Sequence, residues 1–173
     1  MKRFNIKNLF FAIRGAVFIF LITALIACAS GLVFHTFEFN AFADSPDIQV
    51  LDYRYGDTKT PMASATEFQK INGGVLQRSN IGGDMLVGDS PYVKWKIKAT
   101  DKVYEDTVDL KKLLPRNIEN HRIYFIVKDK QLFVYLITPN RRLPTEEPNG
   151  PKASNYLKTI TLSSNFGREV ASQ

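Results

Sequence analysis

The side chains able to do covalent or acid–base chemistry are few and far apart. In 173 residues there is one cysteine, Cys28, and there are two histidines, His35 and His121. A single thiol excludes an intramolecular disulfide framework and a Cys-rich zinc site, and two histidines leave little for a His-based metal centre. Cys28 closes the run Leu25-Ile26-Ala27-Cys28, which has the order of a lipobox: an apolar residue, two permissive positions, then the thiol. In that chemistry the thiol takes a diacylglyceryl group, the chain is cut before the cysteine, and the new amine is acylated. Two or more acyl chains hold a protein stably on a bilayer, at roughly 0.8 kcal/mol per buried CH₂.

Nothing else gathers into a reaction centre. A Ser-His-Asp arrangement needs no proximity in sequence and stays open at His121, but there is no Gly-x-Ser-x-Gly, phosphate loop or dinucleotide fingerprint. Gly73-Gly74 and Gly82-Gly83 are isolated pairs that read as turns. Glu105, Asp106 and Asp109 are the densest acidic cluster. On a strand Glu105 and Asp109 share one face and Asp106 the other, which makes a surface patch rather than the two opposed carboxyls of a glycosidase. The spacing is not that of an EF-hand loop either. The chain is therefore read as non-enzymatic, with no metal and no cofactor.

The formal charge of +6 points first to nucleic acid, and its distribution removes that reading. Residues 1–28 hold four of the 23 basic residues and none of the 17 acidic ones, so the rest of the chain carries 19 against 17, a charge of +2. Positive charges ahead of an apolar run hold an N-terminus on the cytoplasmic side; most of the basicity is a topology signal, and nucleic acid is not an expected partner.

The uncharged run 15–34 has three readings. A lipoprotein signal, 1–28, leads. An uncleaved transmembrane helix is second, because about 20 apolar residues cross a bilayer core and the apolar residues 31–34 continue past the cysteine. Ordinary signal cleavage after Ala41-Phe42-Ala43 is third, weakened by the length of such a signal and by Phe37, Glu38 and Phe39 near the cut. Each puts the remainder outside the cytoplasm.

The elements that must position any binding surface are strands. Residues 29–46 read as a tether or an edge strand, and 47–55 alternates as a strand with Ile48, Val50 and Asp52 on one side and Gln49, Leu51 and Tyr53 on the other. Residues 56–91 are Gly-rich and read as loop, with a short helix only around 63–70. Residues 92–98 form the strongest strand, with Val93, Trp95 and Ile97 on one face and Lys94, Lys96 and Lys98 on the other. Its antiparallel partner is 103–110, which sets the lysine face against the acids. Residues 122–127 and 131–137 are apolar on both faces and read as a central buried hairpin. A Pro-rich loop over 139–152 leads to a last strand at 158–162, and 166–173 reads as a flexible tail. About six strands with Gly- and Pro-rich connections predict an all-β, mainly antiparallel domain over 47–165, a small β-sandwich or half-barrel. The mean hydropathy, near zero, excludes a polytopic membrane protein.

All seven tyrosines fall after the apolar run. Tyrosine buries area at little entropic cost and is enriched at protein interfaces, although most of these positions also fit half-buried strand residues. The candidate contacts with a protein partner are Lys94, Lys96, Lys98, Glu105, Asp109, Arg141 and Arg142.

The segments Asp44-Ser-Pro-Asp-Ile-x-Val-Leu-Asp-Tyr-x-Tyr-Gly-Asp57, Tyr92-Val-Lys-Trp-Lys-Ile-Lys98, Val103-Tyr-Glu-Asp-x-Val-Asp-Leu-x-x-x-Leu-Pro115, Arg122-Ile-Tyr-Phe125 and Gln131-Leu-x-Val-Tyr-Leu-Ile137 resemble a group of uncharacterised proteobacterial lipoproteins. That group is associated with type VI secretion lipase effectors. The resemblance covers nearly everything after Cys28 and implies a periplasmic immunity protein, with the outer membrane favoured and an inner-membrane anchor as the variant. It also implies that Asp44-Ser-Pro-Asp47 belongs to the mature chain. The apolar residues 31–34 depart from the pattern and keep a plain membrane anchor open. The alternative is a structural or assembly lipoprotein of the envelope or secretion apparatus.

Overall fold

The computed structural model describes residues 31–57 and 60–171. Cys28 and the lipobox residues Leu25, Ile26 and Ala27 lie outside them. The described residues form nine strands: β1 (Leu32–Asn40), β2 (Ile48–Tyr55), β3 (Arg78–Leu86), β4 (Pro91–Ile97), β5 (Val103–Thr107), β6 (Arg122–Lys128), β7 (Gln131–Arg141), β8 (Leu157–Phe166) and β9 (Arg168–Val170). Two short helices, α1 (Ala41–Asp44) and α2 (Glu67–Ile71), accompany them. One sheet has the order β3-β1-β6-β7-β8 and the other β2-β4-β5-β9. Every pairing is antiparallel except β1 with β6, so the fold is mainly antiparallel β. Among the described residues no helix is long and apolar enough to cross a membrane.

The two sheets share one core. His35, Phe37 and Phe39 of β1, Val50, Tyr53 and Tyr55 of β2, Val93 and Trp95 of β4, and Ile123 and Phe125 of β6 are all buried. Phe37 stacks on Tyr55 with ring centres 4.7 Å apart, and Phe39 on Phe125 at 4.4 Å; stacked aromatic pairs contribute about 0.5–1.5 kcal/mol beyond the area they bury. A second, smaller cluster of Tyr124, Ile126, Tyr135 and Ile137, with Phe133 and Leu157 against it, forms on the other face of β6 and β7. That is why these two strands are apolar on both faces, as a central hairpin must be.

Four expectations are corrected. Residues 29–46 are not a tether from Leu32 onward: β1 lies between β3 and β6, inside its sheet. Its alternation of Phe37 and Phe39 with Thr36 and Glu38 is the pattern of a strand with one face in the core. In β2 the register slips between Val50 and Asp52. The bulge at Leu51 flips the rest of the strand, so Tyr53 and Tyr55 join Ile48 and Val50 in the core.

The stretch 56–91 contains β3, where Gly82 and Gly83 sit within a strand opposite Thr36 and His35 rather than in a turn. The end of the chain is not a tail. β8 runs to Phe166, and β9 pairs Val103, Tyr104 and Glu105 of β5 with Val170, Glu169 and Arg168. The domain therefore extends beyond both expected limits, 47 and 165.

His35 is a buried polar group with both ring nitrogens satisfied. Nδ1 donates to the Val33 carbonyl at 2.8 Å, and Nε2, 2.9 Å from the Tyr55 hydroxyl, accepts from it. Burial holds the imidazole below its ordinary 6.5, against the raising effect of Val33. The neutral ring is thus favoured in the folded state. The unfolded chain binds the proton first as pH falls, so the stability present above 6.5 is lost on going lower. Urea unfolding followed from neutral pH to about pH 5 is expected to show a falling midpoint that a His35→Gln variant, although weaker, does not reproduce. Glu38 and Asp52, both raised by burial, act in the opposite sense, adding stability as pH falls, so the difference between parent and His35→Gln is what isolates the imidazole.

Candidate functional site

The outer face of β2, β4 and β5 carries a cleft of about 710 Å³ walled by α2. Each wall is set by the fold. Because Val93, Trp95 and Ile97 point into the core, Tyr92, Lys94 and Lys96 must point out to the cleft. The bulge in β2 brings two successive residues, Leu51 and Asp52, to the same side.

Helix α2 is set by its cap rather than by packing. The Thr66 hydroxyl accepts from the Gln69 N–H, the Gln69 side chain accepts from the Thr66 N–H, and none of the helix's residues is buried. A further tie is ionic: Lys70 lies 3.5 Å from Asp52 and 2.5 Å from Glu67.

The cleft is charged with both signs. Burial raises the Asp52 carboxyl above its ordinary value, opposed by Lys70, while the bond to Glu67 raises the Lys70 ammonium. Lys96 pairs with Asp101 at 3.1 Å. Tyr92 donates its hydroxyl to Glu105 at 3.0 Å and stacks under Arg54, 5.7 Å from the ring centre. Arg168 of β9 also holds the Glu105 carboxylate and is the main cause of its lowered pKa. Lys94 stands opposite Glu105 in the register and helps to lower its pKa through its charge, without a close ion pair among the described residues.

Beside these charges stand two large apolar side chains. Phe68 and Ile71, three residues apart on α2, are 76% and 81% exposed; residues at this spacing share one face of a helix.

The seven residues expected to bind a partner do not form one surface. Lys94 and Lys96 line the cleft, and Glu105 is bound at its margin by Tyr92 and Arg168. Lys98 ties the chain before β2, its ammonium donating to the Pro46 carbonyl at 2.7 Å. Asp109 accepts from the Lys111 N–H at 2.9 Å in a separate turn. Arg141 and Arg142 belong to the other sheet's end of the chain. Arg142 donates to the Asn155, Leu143 and Glu146 carbonyls and braces its own loop. The expected meeting of the lysine face with the acids holds at Lys94 and Glu105, which pair across the strands, but the close contacts of that carboxylate are with Arg168 and Tyr92.

Of the tyrosines, five are buried and only Tyr156, at 60%, is largely exposed. His121 is half-buried, with Nδ1 2.8 Å from the Glu119 carbonyl. Among the described residues no group of three His, Cys, Asp or Glu is placed to hold a metal ion.

Asp52, Lys70, Phe68, Ile71 and Arg168 do not stand out as site residues in the sequence. The capping box Thr66-x-x-Gln69 is a readable signal for α2, and the others depend on the bulge and on β9. Compared with family models, with curated proteins and with solved structures, the chain matches none.

Proposed function

We propose that the chain is a membrane-tethered, non-enzymatic protein of the periplasm, a small β-sandwich that binds a secreted antibacterial effector of lipase type and neutralises it. The observation that carries partner binding is the pair Phe68 and Ile71. A helix that turns its large apolar residues to solvent beside a cleft of mixed charge has the make-up of an interface: apolar anchors next to polar groups that fix orientation. The lipobox at Cys28 and the resemblance to lipoproteins associated with type VI lipase effectors support the anchor and the partner class.

The strand assignment bears on the anchor. Leu32, Val33 and Phe34 form the start of β1, with Val33 packed on the core. Cleavage before Cys28 leaves the domain whole, and cleavage after Ala43 removes β1. An inhibitor held at the bilayer where the effector acts gains in local concentration, and covering the effector's active site or its membrane-docking face stops it.

The test is capture of partners from an envelope extract by a mature chain beginning at Cys28, followed by binding measurements on any lipase-type protein captured. Phe68→Ala and Ile71→Ala are each expected to weaken the complex by about tenfold while changing stability by no more than roughly 0.5 kcal/mol. A one-to-one lipase partner supports the proposal; capture of membrane-complex components instead, or unchanged affinity in both variants, overturns it. Fatty-acid labelling that is absent from the parent as well as from Cys28→Ala rules out lipidation.

A further inference from the structure

Where the chain enters the domain, the sheet ends in an uncovered apolar tip. Leu32, the first residue of β1, pairs opposite Leu86, the last residue of β3. The two side chains share the outer side of the sheet because Met85, and with it Val33, turns to the core. Phe34, two residues on, stands on that same side opposite Asp84. Leu32 is 46%, Phe34 48% and Leu86 55% exposed, and Val87 comes directly after at 36%. Elsewhere on this face, at Tyr124, Ile126, Tyr135 and Ile137, the apolar side chains are covered.

The connection between β5 and β6 is bound to the same end at two points. The Leu110 N–H donates to the Asp89 carbonyl, and the Asn120 N–H donates to the Phe34 carbonyl, both at 2.8 Å. This connection carries three exposed cations, Lys111, Lys112 and Arg116, against two exposed acids, Asp109 and Glu119; Lys111 is paired with Asp89 at 3.0 Å, which leaves Lys112 and Arg116 beside Leu113, itself 42% exposed.

We propose that this tip rests in the lipid surface, with Leu32, Phe34 and Leu86 at the acyl boundary and the cations of the β5–β6 connection at the level of anionic headgroups. This rests on the reading of Cys28 as the anchor. The occupant is fixed by the length of chain outside the domain. Only three residues separate Cys28 from Leu32, and at about 3.5 Å per residue the tip stays within roughly 14 Å of the lipidated position however the link is arranged. An apolar patch held that close to a bilayer and flanked by cations meets the conditions for interfacial binding. Asp84, one step inward from the Leu32–Leu86 pair, keeps the insertion shallow. The consequence is a fixed orientation in which α2 and its cleft keep one attitude to the membrane.

The single thiol makes the test independent of whether a cell lipidates it. The mature chain from Cys28, comprising the compact unit Leu32–Gln173, is coupled through that thiol to a maleimide-headgroup phospholipid. The vesicles are made of phosphatidylethanolamine and phosphatidylglycerol, with or without brominated acyl chains. In a Phe34→Trp variant the added emission is expected to be largely lost in brominated vesicles. In Phe68→Trp it is expected to persist, with the buried Trp95 of the parent as the baseline. Leu86→Trp provides a second reporter should the first variant fold poorly, and Leu32→Asp is expected to restore the quenched emission. Unquenched emission at both 34 and 86 in the tethered protein overturns the proposal and leaves the anchor reading intact. Absence of fatty-acid label at Cys28 in cells overturns the anchor reading and leaves the quenching result to stand for the tip alone.

Discussion

A chain that starts at Asp44 is expected not to fold, whereas one that starts at Cys28 unfolds in a single cooperative transition. The shorter chain lacks β1, which pairs with β3 along its whole length from Leu32↔Leu86 to Asn40↔Arg78 and lies beside β6 on its other edge. It also lacks Phe37 and Phe39, both fully buried and stacked on Tyr55 and Phe125. Losing a buried phenylalanine side chain costs about 3–5 kcal/mol; two such losses match or exceed most of the roughly 5–15 kcal/mol that holds a domain together. Two strand edges left unpaired in mid-sheet add an aggregation hazard. Urea titration with near-ultraviolet circular dichroism checks this, and a cooperative transition in the 44–173 chain would sink it. The same result bears on processing, because a signal cut after Ala43 would release such a chain.

Gly167→Ala is expected to destabilise the domain by roughly 1–3 kcal/mol and to shift the emission of its one tryptophan to the red. Gly167 is the single residue between Phe166, paired in one sheet, and Arg168, paired in the other. Its N–H donates to the Lys130 carbonyl at 2.8 Å, and its backbone crosses directly over the Trp95 indole. A Cβ at this position would come within 2.7 Å of Cζ2, closer than the 3.0 Å that real Cβ atoms respect.

The indole cannot move aside cheaply. It is fully buried and donates from Nε1 to the Asp129 carbonyl at 2.9 Å. Either Trp95 is displaced or β9 leaves β5. The second outcome withdraws Arg168 from Glu105 and frees that carboxylate to face Lys94, so the cleft changes with the fold. A variant within about 0.5 kcal/mol of the parent with unchanged emission would show that the crossing is looser than the geometry states.

The parts of the fold legible in the sequence are those whose pattern is local. The alternation in β4 decided which residues face the core, and with them that Tyr92, Lys94 and Lys96 face out. The apolar runs of β6 and β7 decided a central hairpin, because a strand covered on both faces has no polar side to show. The basic residues ahead of the uncharged run and the order Leu25-Ile26-Ala27-Cys28 are likewise local patterns, legible without any tertiary contact.

What the tertiary structure decided is everything that depends on distant pairing. β9 is three residues long and exists only because β5, some 60 positions earlier in the chain, offers an open edge. A glycine pair is a turn or a strand according to what lies beside it, and β1 lies beside Gly82 and Gly83. The bulge at Leu51 leaves no mark in composition, yet it turns Asp52 outward to Lys70. The sequence by itself determined a mainly antiparallel β-protein with a lysine-bearing face. Only the packing of two sheets, joined at Gly167 and capped by α2, decided which charges, and which two exposed apolar side chains, stand together on that face.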